Sequence, residues 1–150
     1  MMCKFVKRNT KGFTLIEMLI VIVVIAILAL IVIPRLLQAG RRAKESALRG
    51  DLQQLRNGIQ HFEADTGAWP PALTDLMVAN GAAISADTDG AGTTVDRVGY
   101  HGPYMRTGGG GLPLDPFTAA ADWTYDSSTG EVHSASTMTS LDGATTYDSW

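Results

Sequence analysis

The chain of 150 residues has a single cysteine, Cys3, which stands ahead of its long apolar run. One thiol cannot form an intrachain disulfide. The sequence therefore excludes a fold held together by a disulfide. Some other set of contacts must hold the C-terminal region in place.

Residues that carry enzyme chemistry are also scarce. The histidines lie far apart in the sequence, and no motif joins any of them to a nucleophile or to a second metal ligand. The glycine run from Gly108 to Gly111 lacks the Lys-Ser/Thr pair and the strand-to-helix context of a phosphate-binding loop. We therefore predict that the protein is not an enzyme.

Charge is absent from the segment Met18 to Ile33, in which every residue is apolar. Together with Phe13 to Ile16, this segment has about the twenty residues that a helix needs to cross a bilayer. Glu17 interrupts the run, and no lysine or arginine lies within helical reach on its apolar side. A carboxylate in hydrocarbon usually pairs with a cation, because burying it alone costs several kcal/mol. Glu17 therefore either reaches the headgroups, as in a simple membrane anchor, or receives its cation from another molecule.

The residues around Glu17 resemble the processing signal of type IV pilins and type II secretion pseudopilins. The signal is a basic leader followed by Gly-Phe-Thr-Leu-Ile-Glu, which is the sequence of residues 12–17. The resemblance implies that a prepilin peptidase cuts between Gly12 and Phe13 and that Phe13 is then N-methylated. It also implies that Glu17 neutralises the Phe13 amine of a neighbouring filament subunit, and that Pro34 kinks the helix. Because an unpaired carboxylate among packed helices is penalised, Glu17 should also set the register of the subunits.

The same resemblance divides the chain along its length. Residues 1–12 would form the leader, residues 13–34 a transmembrane and filament-core helix, residues 35–65 an amphipathic helix, and residues 66–150 a periplasmic head. Basic residues flank the apolar run on both sides, so charge alone does not fix the orientation. The leader resemblance implies a single pass through the inner membrane, with the N-terminus in the cytoplasm and the head in the periplasm.

The second half of the helix carries a periodic apolar pattern, at spacings of three and four residues that place its members on one face. The members of this apolar stripe are Leu48, Leu52, Leu55, Ile59 and Phe62. Asp65–Gly67 is expected to end the helix, and residues 71–77 are expected to form a short second helix. The apolar stripe is then available to dock the head.

Strand signals occur only in the head. Residues 122–126 and 131–134 predict a β-hairpin, and residues 99–105 predict a third strand. The stretch 79–98 is small and polar and is expected to be an exposed loop. The predicted fold class is α+β, with a long N-terminal helix packed on a small antiparallel sheet, which is the ladle shape that the pilin resemblance implies.

The predicted head is strongly acidic. Residues 66–150 contain ten Asp or Glu side chains but only two arginines, Arg97 and Arg106, and no lysine. Such a field repels phosphate backbones, so direct nucleic-acid binding is disfavoured, and it attracts divalent cations. Ordinary solubility outside the cytoplasm is the alternative explanation.

Two acidic segments are candidate calcium sites, each with a solvated loop as the alternative. Residues 140–150 resemble a shortened form of the calcium loop that ends major pseudopilins, although fewer carboxylates remain than calcium prefers. The ligands that this resemblance implies are the Leu141 carbonyl, Asp142 and Asp148. A weaker alternative follows the spacing of an EF-hand loop and would use Asp87, Asp89 and Asp96.

The resemblance implies a mechanical function. The chain would be a subunit of a pseudopilus, a homo-oligomeric filament that grows from the inner membrane and acts as a piston in type II protein secretion. Its partners would be the prepilin peptidase, minor pseudopilins, and an inner-membrane assembly platform with its ATPase. One alternative is a type IV pilin used for adhesion, motility or DNA uptake. Another is a bitopic anchor that displays a binding head and never polymerises.

Overall fold

Regular structure begins at Leu15, from which one helix, α1, runs to Thr66. The protein is described by a computed structural model that covers residues 12–106 and 111–150. The leader before Gly12 and most of the glycine run therefore lie outside the described residues. The other elements are 3₁₀ turns at Leu73–Met77, Gly81–Ala83 and Tyr147–Ser149, and strands β1 (Thr124–Asp126) and β2 (Glu131–His133). The predicted α+β class is confirmed.

The chain divides into two compact units, the first ending at Gly40 and the second spanning Arg41–Trp150. In the first unit, the large apolar side chains of α1 are exposed along its length. An 18-residue window of this helix has a mean hydropathy of 3.4 and none of it is buried, so by length and composition it could cross a membrane. The helix continues through Pro34, although a proline removes one of its backbone hydrogen bonds.

The core of the second unit lies against the apolar stripe, every member of which is buried. The head residues that cover it include Leu76, Met105, Val132 and Tyr147. Full burial of a large apolar side chain contributes roughly 1.5–3 kcal/mol. The predicted docking of the head on this stripe is confirmed, and the second compact unit begins at Arg41 because that half of α1 belongs to the head's core.

The end of α1 follows the sequence closely. Gly67 adopts a φ of +72°, and its N–H donates to the Glu63 carbonyl at 2.8 Å. A left-handed residue after the last helical turn favours glycine, because other side chains are strained there. The short helix predicted at residues 71–77 is present as the 3₁₀ turn Leu73–Met77. Asp75 caps it by accepting the Ala72 N–H at 3.0 Å.

The predicted hairpin is confirmed as an antiparallel pair of β1 and β2, in which Tyr125 lies opposite Val132. Gly130 closes the turn with a φ of +73°. A Cβ atom at Gly130 would collide with the ring of Trp69. The turn therefore needs glycine both for its backbone conformation and for the close approach of the indole.

The third strand predicted at residues 99–105 is wrong: within the described residues the sheet has two strands. The backbone of this segment bonds elsewhere, because Tyr104 N and Met105 N both donate to the Leu76 carbonyl, at 2.9 and 3.1 Å. The segment is thus hydrogen-bonded to the 3₁₀ turn Leu73–Met77 and not to the hairpin. The predicted exposed loop also differs in part, since Ile84 and Val95 within it are buried.

Candidate assembly site and C-terminal loop

Glu17 and Thr14 form a reciprocal pair of hydrogen bonds at the start of α1. Thr14 Oγ1 accepts the Glu17 backbone N–H at 3.3 Å, and Glu17 Oε2 accepts the Thr14 N–H at 3.2 Å. This arrangement is a capping box, which satisfies backbone donors that a helix start otherwise leaves unpaired. The sequence carries the signal of this motif, which is Thr-x-x-Glu ahead of an apolar run. Glu17 therefore has a local role at the helix start in addition to the charge pairing that the sequence analysis predicts.

The charge of Glu17 is not neutralised within the part of the chain that the structure describes. No described lysine or arginine forms an ion pair with it. Gly12 and Phe13 precede α1 without regular structure, and the Phe13 side chain is 77% exposed. The bond between these residues is therefore accessible, and Glu17, four residues after it, has no cationic partner among residues 12–106 and 111–150.

Of the candidate calcium ligands at residues 140–150, Leu141 and Asp142 lie in a tight turn, whereas Asp148 lies in the 3₁₀ turn Tyr147–Ser149. Gly143 N donates to the Ser140 carbonyl at 3.0 Å, and Asp142 Oδ1 accepts hydrogen bonds from the Ser140 hydroxyl and from Ala144 N. These bonds, that of Ser140 first, hold the pKa of Asp142 below its ordinary value. Asp148 is exposed. Calcium at Leu141, Asp142 and Asp148 stays a prediction.

The carboxylates of the alternative site serve separate parts of their loop. Asp87 pairs with Arg97 at 2.7 Å, Asp89 accepts the Thr93 N–H at 2.7 Å, and Asp96 accepts the Val98 N–H at 3.0 Å. Among the described residues, no group of three or more His, Cys, Asp or Glu side chains is arranged to hold a metal ion. The structure therefore does not bring Asp87, Asp89 and Asp96 together as a site.

A second set of side chains on α1 holds the C-terminal loop, which we define as residues 134–150. These residues, Arg41, Glu45, Arg49 and Arg56, follow one another at spacings of four, four and seven and thus share one face of the helix. We call them the polar stripe. Arg41 Nη2 donates to the Thr139 carbonyl at 2.8 Å, and the Arg49 guanidinium lies 4.5 Å from the centre of the Trp150 ring.

The other members of the polar stripe bind the same loop. Glu45 Oε1 accepts the Leu141 N–H at 2.6 Å and the Tyr147 hydroxyl at 2.8 Å. Arg56 Nη2 donates to the Val132 carbonyl at 3.1 Å and also to the Trp150 carbonyl. The polar stripe therefore supplies contacts that a chain without a disulfide needs at this position. The sequence shows the spacing of these residues but not their partners, which lie far away along the chain.

Asp115 organises the other side of the C-terminal loop. Its side chain is fully buried, and it accepts hydrogen bonds from Phe117 N at 2.7 Å, from Thr118 N at 3.4 Å and from the Ser134 hydroxyl. Asp51 on α1 lies near this buried carboxylate. Burial, and then repulsion from Asp115, raise the pKa of Asp51, and no hydrogen bond from the described residues compensates.

Asp51→Asn is expected to stabilise the head at neutral pH. A carboxyl whose pKa is higher in the folded than in the unfolded state costs stability once it ionises, so the cost appears as the pH rises above the ordinary value of 3.8. After allowance for solvent screening, the gain should be about 0.5 kcal/mol. Thermal melts of both proteins at pH 7 and near pH 3 test this. A gain of equal size at both pH values would contradict the electrostatic explanation.

Comparison with known proteins identifies the family to which the N-terminal motif belongs. The family model described as the prokaryotic N-terminal methylation motif matches residues 7–33, which include Gly12, Phe13 and Glu17. No solved structure gives a significant match.

Three curated relatives illustrate the similarity. The type II secretion system core protein G of Pseudomonas aeruginosa is 29% identical over 124 residues, which cover 77% of this chain and 87% of the relative. Competence protein ComGC of Bacillus subtilis is 38% identical over 69 residues, or 46% of this chain and 70% of the relative. The type IV wide pilus major component PilA4 of Thermus thermophilus is 44% identical over 62 residues, or 41% of this chain and 47% of the relative. The match thus spans about half the length of the Thermus protein.

With the methylation motif at its start and a head packed on the same helix, the chain belongs to the family of type IV pilins and type II secretion pseudopilins.

Proposed function

We propose that the chain is the subunit of a pseudopilus that polymerises from the inner membrane and acts as a piston in type II protein secretion. The observation that carries this proposal is the exposed apolar half of α1, headed by an accessible Gly12–Phe13 bond and by Glu17, which forms no ion pair with any residue that the structure describes. The similarity to core protein G of Pseudomonas aeruginosa, which extends over most of both chains, supports the secretion system over other members of the family.

The apolar half of α1 would have two successive environments. In the membrane, lipid covers side chains such as Leu19 and Ile31, which are 53% and 56% exposed. In the filament, the helices of neighbouring subunits would replace the lipid, and the Phe13 amine of one subunit would neutralise Glu17 of another. The carboxylate would thus select one register, because every other register buries a charge without its partner.

Assembly of this kind requires other components. A prepilin peptidase at the cytoplasmic face would remove residues 1–12, and a membrane platform with its ATPase would add subunits at the base. Minor pseudopilins would join the same filament. The head would face the periplasm, and the work of the subunit would be mechanical.

The mass of the membrane-extracted protein tests this proposal first. In cells that contain the prepilin peptidase, we expect a mature chain that begins at N-methylated Phe13. In cells without the peptidase, the leader should remain. An uncut chain in both strains would refute the filament proposal and would leave a membrane anchor with a binding head.

A type IV pilin is the second candidate, and the 44% identity to the Thermus pilus component over 62 residues favours it. The acidic head makes direct contact with DNA the least favourable version of this alternative. Deletion of the gene separates the two candidates. Loss of protein secretion without loss of surface filaments indicates a pseudopilin, whereas loss of long surface filaments indicates a pilin.

A further inference from the structure

We propose that Glu45 is the positioning residue that organises residues 139–147, at the place where the family resemblance implies a calcium ion. Glu45 lies on α1 in the second compact unit and is half-buried against the C-terminal loop. Two donors of that loop, the Leu141 N–H and the Tyr147 hydroxyl, converge on its carboxylate. The loop is therefore built around an anion that the chain itself supplies.

The direction of the hydrogen bonds is the first argument. The Leu141 N–H and the Tyr147 O–H both point to Glu45 Oε1, at 2.6 and 2.8 Å. A calcium site requires the opposite arrangement, in which six to eight oxygen atoms converge on one point. Asp142, which with Asp148 is the most direct candidate ligand, instead accepts hydrogen bonds from Ser140 and Ala144 within its own turn. The donor set of this loop fits a carboxylate better than a cation.

The surroundings of Glu45 are the second argument. Arg41 and Arg49 lie one helical turn before and after it, and they bind the Thr139 carbonyl and the Trp150 ring. Their positive charges offset that of Glu45 along one helix face. The loop is thus held at successive positions along α1, with the carboxylate in the middle.

The third argument is the partner of Glu45 inside the head. Tyr147 is fully buried, its ring stacks on Phe117 with centroids 4.1 Å apart, and it meets the Trp150 ring edge-on at 5.0 Å. The hydrogen bond from its hydroxyl therefore connects α1 to a packed aromatic cluster, so it fixes more of the head than one side chain.

A consequence for assembly rests on the proposed function. If Glu45 fixes the C-terminal loop, the head is complete without an ion before the subunit enters a filament. The position of the loop relative to the helix would then not depend on the calcium concentration outside the cytoplasm.

The test compares variants of the full chain in detergent. Glu45→Ala removes the acceptor, whereas Glu45→Gln keeps an oxygen that can accept both hydrogen bonds. Glu63→Ala is the matched control, because the Glu63 side chain lies on the same helix and makes no hydrogen bond to any described residue. Hydrogen exchange of residues 139–147 is measured in excess calcium chloride and in EGTA.

We expect the parent protein to exchange equally slowly in both solutions. In Glu45→Ala, exchange at Leu141 should be faster by about tenfold or more in both, since the bond that protects it is lost. Glu45→Gln should retain most of the protection, and Glu63→Ala all of it. Protection that appears only in calcium and is unaffected by Glu45→Ala would overturn the proposal and establish the calcium loop.

The same samples separate this inference from the proposed function. Leader removal is scored by mass in each preparation, and it does not depend on the loop. A cleaved protein with a calcium-dependent loop would refute only the role of Glu45, whereas an uncleaved protein with a Glu45-dependent loop would refute only the filament proposal.

Discussion

Glu17→Leu is expected to abolish filament assembly while the protein still inserts into the membrane. Leucine makes the apolar run more hydrophobic, so insertion should not suffer. In the filament, however, the Phe13 amine of the neighbouring subunit would lose its counter-charge among apolar helices. Leaving one member of a buried ion pair alone costs about 3–5 kcal/mol. Such a cost weakens each subunit addition by roughly a hundredfold or more.

The capping box requires a control, because Glu17 also bonds to Thr14. Glu17→Gln retains that motif, since glutamine serves in it as well as glutamate, but it removes the charge. Filament assembly is measured as the fraction of the protein that chemical cross-linking of intact cells joins into ladders of subunits, and insertion is measured as the membrane fraction. If Glu17→Gln builds filaments in normal amounts, charge pairing is not the reason for the carboxylate.

Asp115→Ala is expected to have the largest effect on the stability of the head. The fully buried carboxylate accepts hydrogen bonds from Phe117 N, Thr118 N and the Ser134 hydroxyl. Alanine would leave the fully buried Ser134 hydroxyl and the half-buried Phe117 N–H without this acceptor. A hydrogen bond to a charged group contributes about 1.5–3 kcal/mol, so the total loss should be about 3–5 kcal/mol. For a domain of this size, Tm should fall by roughly 10–20 °C.

Thermal unfolding followed by the circular dichroism of the buried aromatic residues measures this loss. Asp148→Ala is the matched control, because Asp148 is an exposed aspartate of the C-terminal loop, which Asp115 contacts through Ser134, and its side chain makes no hydrogen bond to a described residue. Asp115→Asn should fall between the two, since its amide keeps one acceptor but presents an N–H₂ group to other donors. An Asp115→Ala protein as stable as Asp148→Ala would show that the interior tolerates the unpaired donors.

The sequence predicted those parts of the fold that local rules determine. The apolar stripe has helical spacing, Gly67 can adopt the left-handed conformation that ends α1, and the strands of the hairpin flank a turn that closes at Gly130. Each of these signals lies within a few residues of the structure that it specifies. The prediction of a third strand was wrong because it depended on a distant partner. Residues 99–105 donate hydrogen bonds to the Leu76 carbonyl, and no local sequence pattern indicates that acceptor.

The candidate site was predictable to different degrees at its two ends. Gly12, Phe13 and Glu17 form a continuous motif that can be identified without knowledge of the fold. The polar stripe is different, because Arg41 and Glu45 bind residues that are 98 and 102 positions away. A charged residue on a helix is solvated unless the tertiary structure brings a partner to it, and the sequence does not encode that distance in any simple pattern.

These long separations also determine the order in which the head can form. The chain must lose loop-closure entropy before the contacts of Glu45 and Arg56 can stabilise the head. Folds with such non-local contacts have a high contact order and fold slowly. Until residues 132–147 have been synthesised, part of the apolar stripe of α1 has no cover within its own chain. A nascent subunit therefore presents two apolar surfaces in succession along one helix, and only the first has the bilayer to receive it. The second must wait for the head, and during that interval it is open to association with other chains.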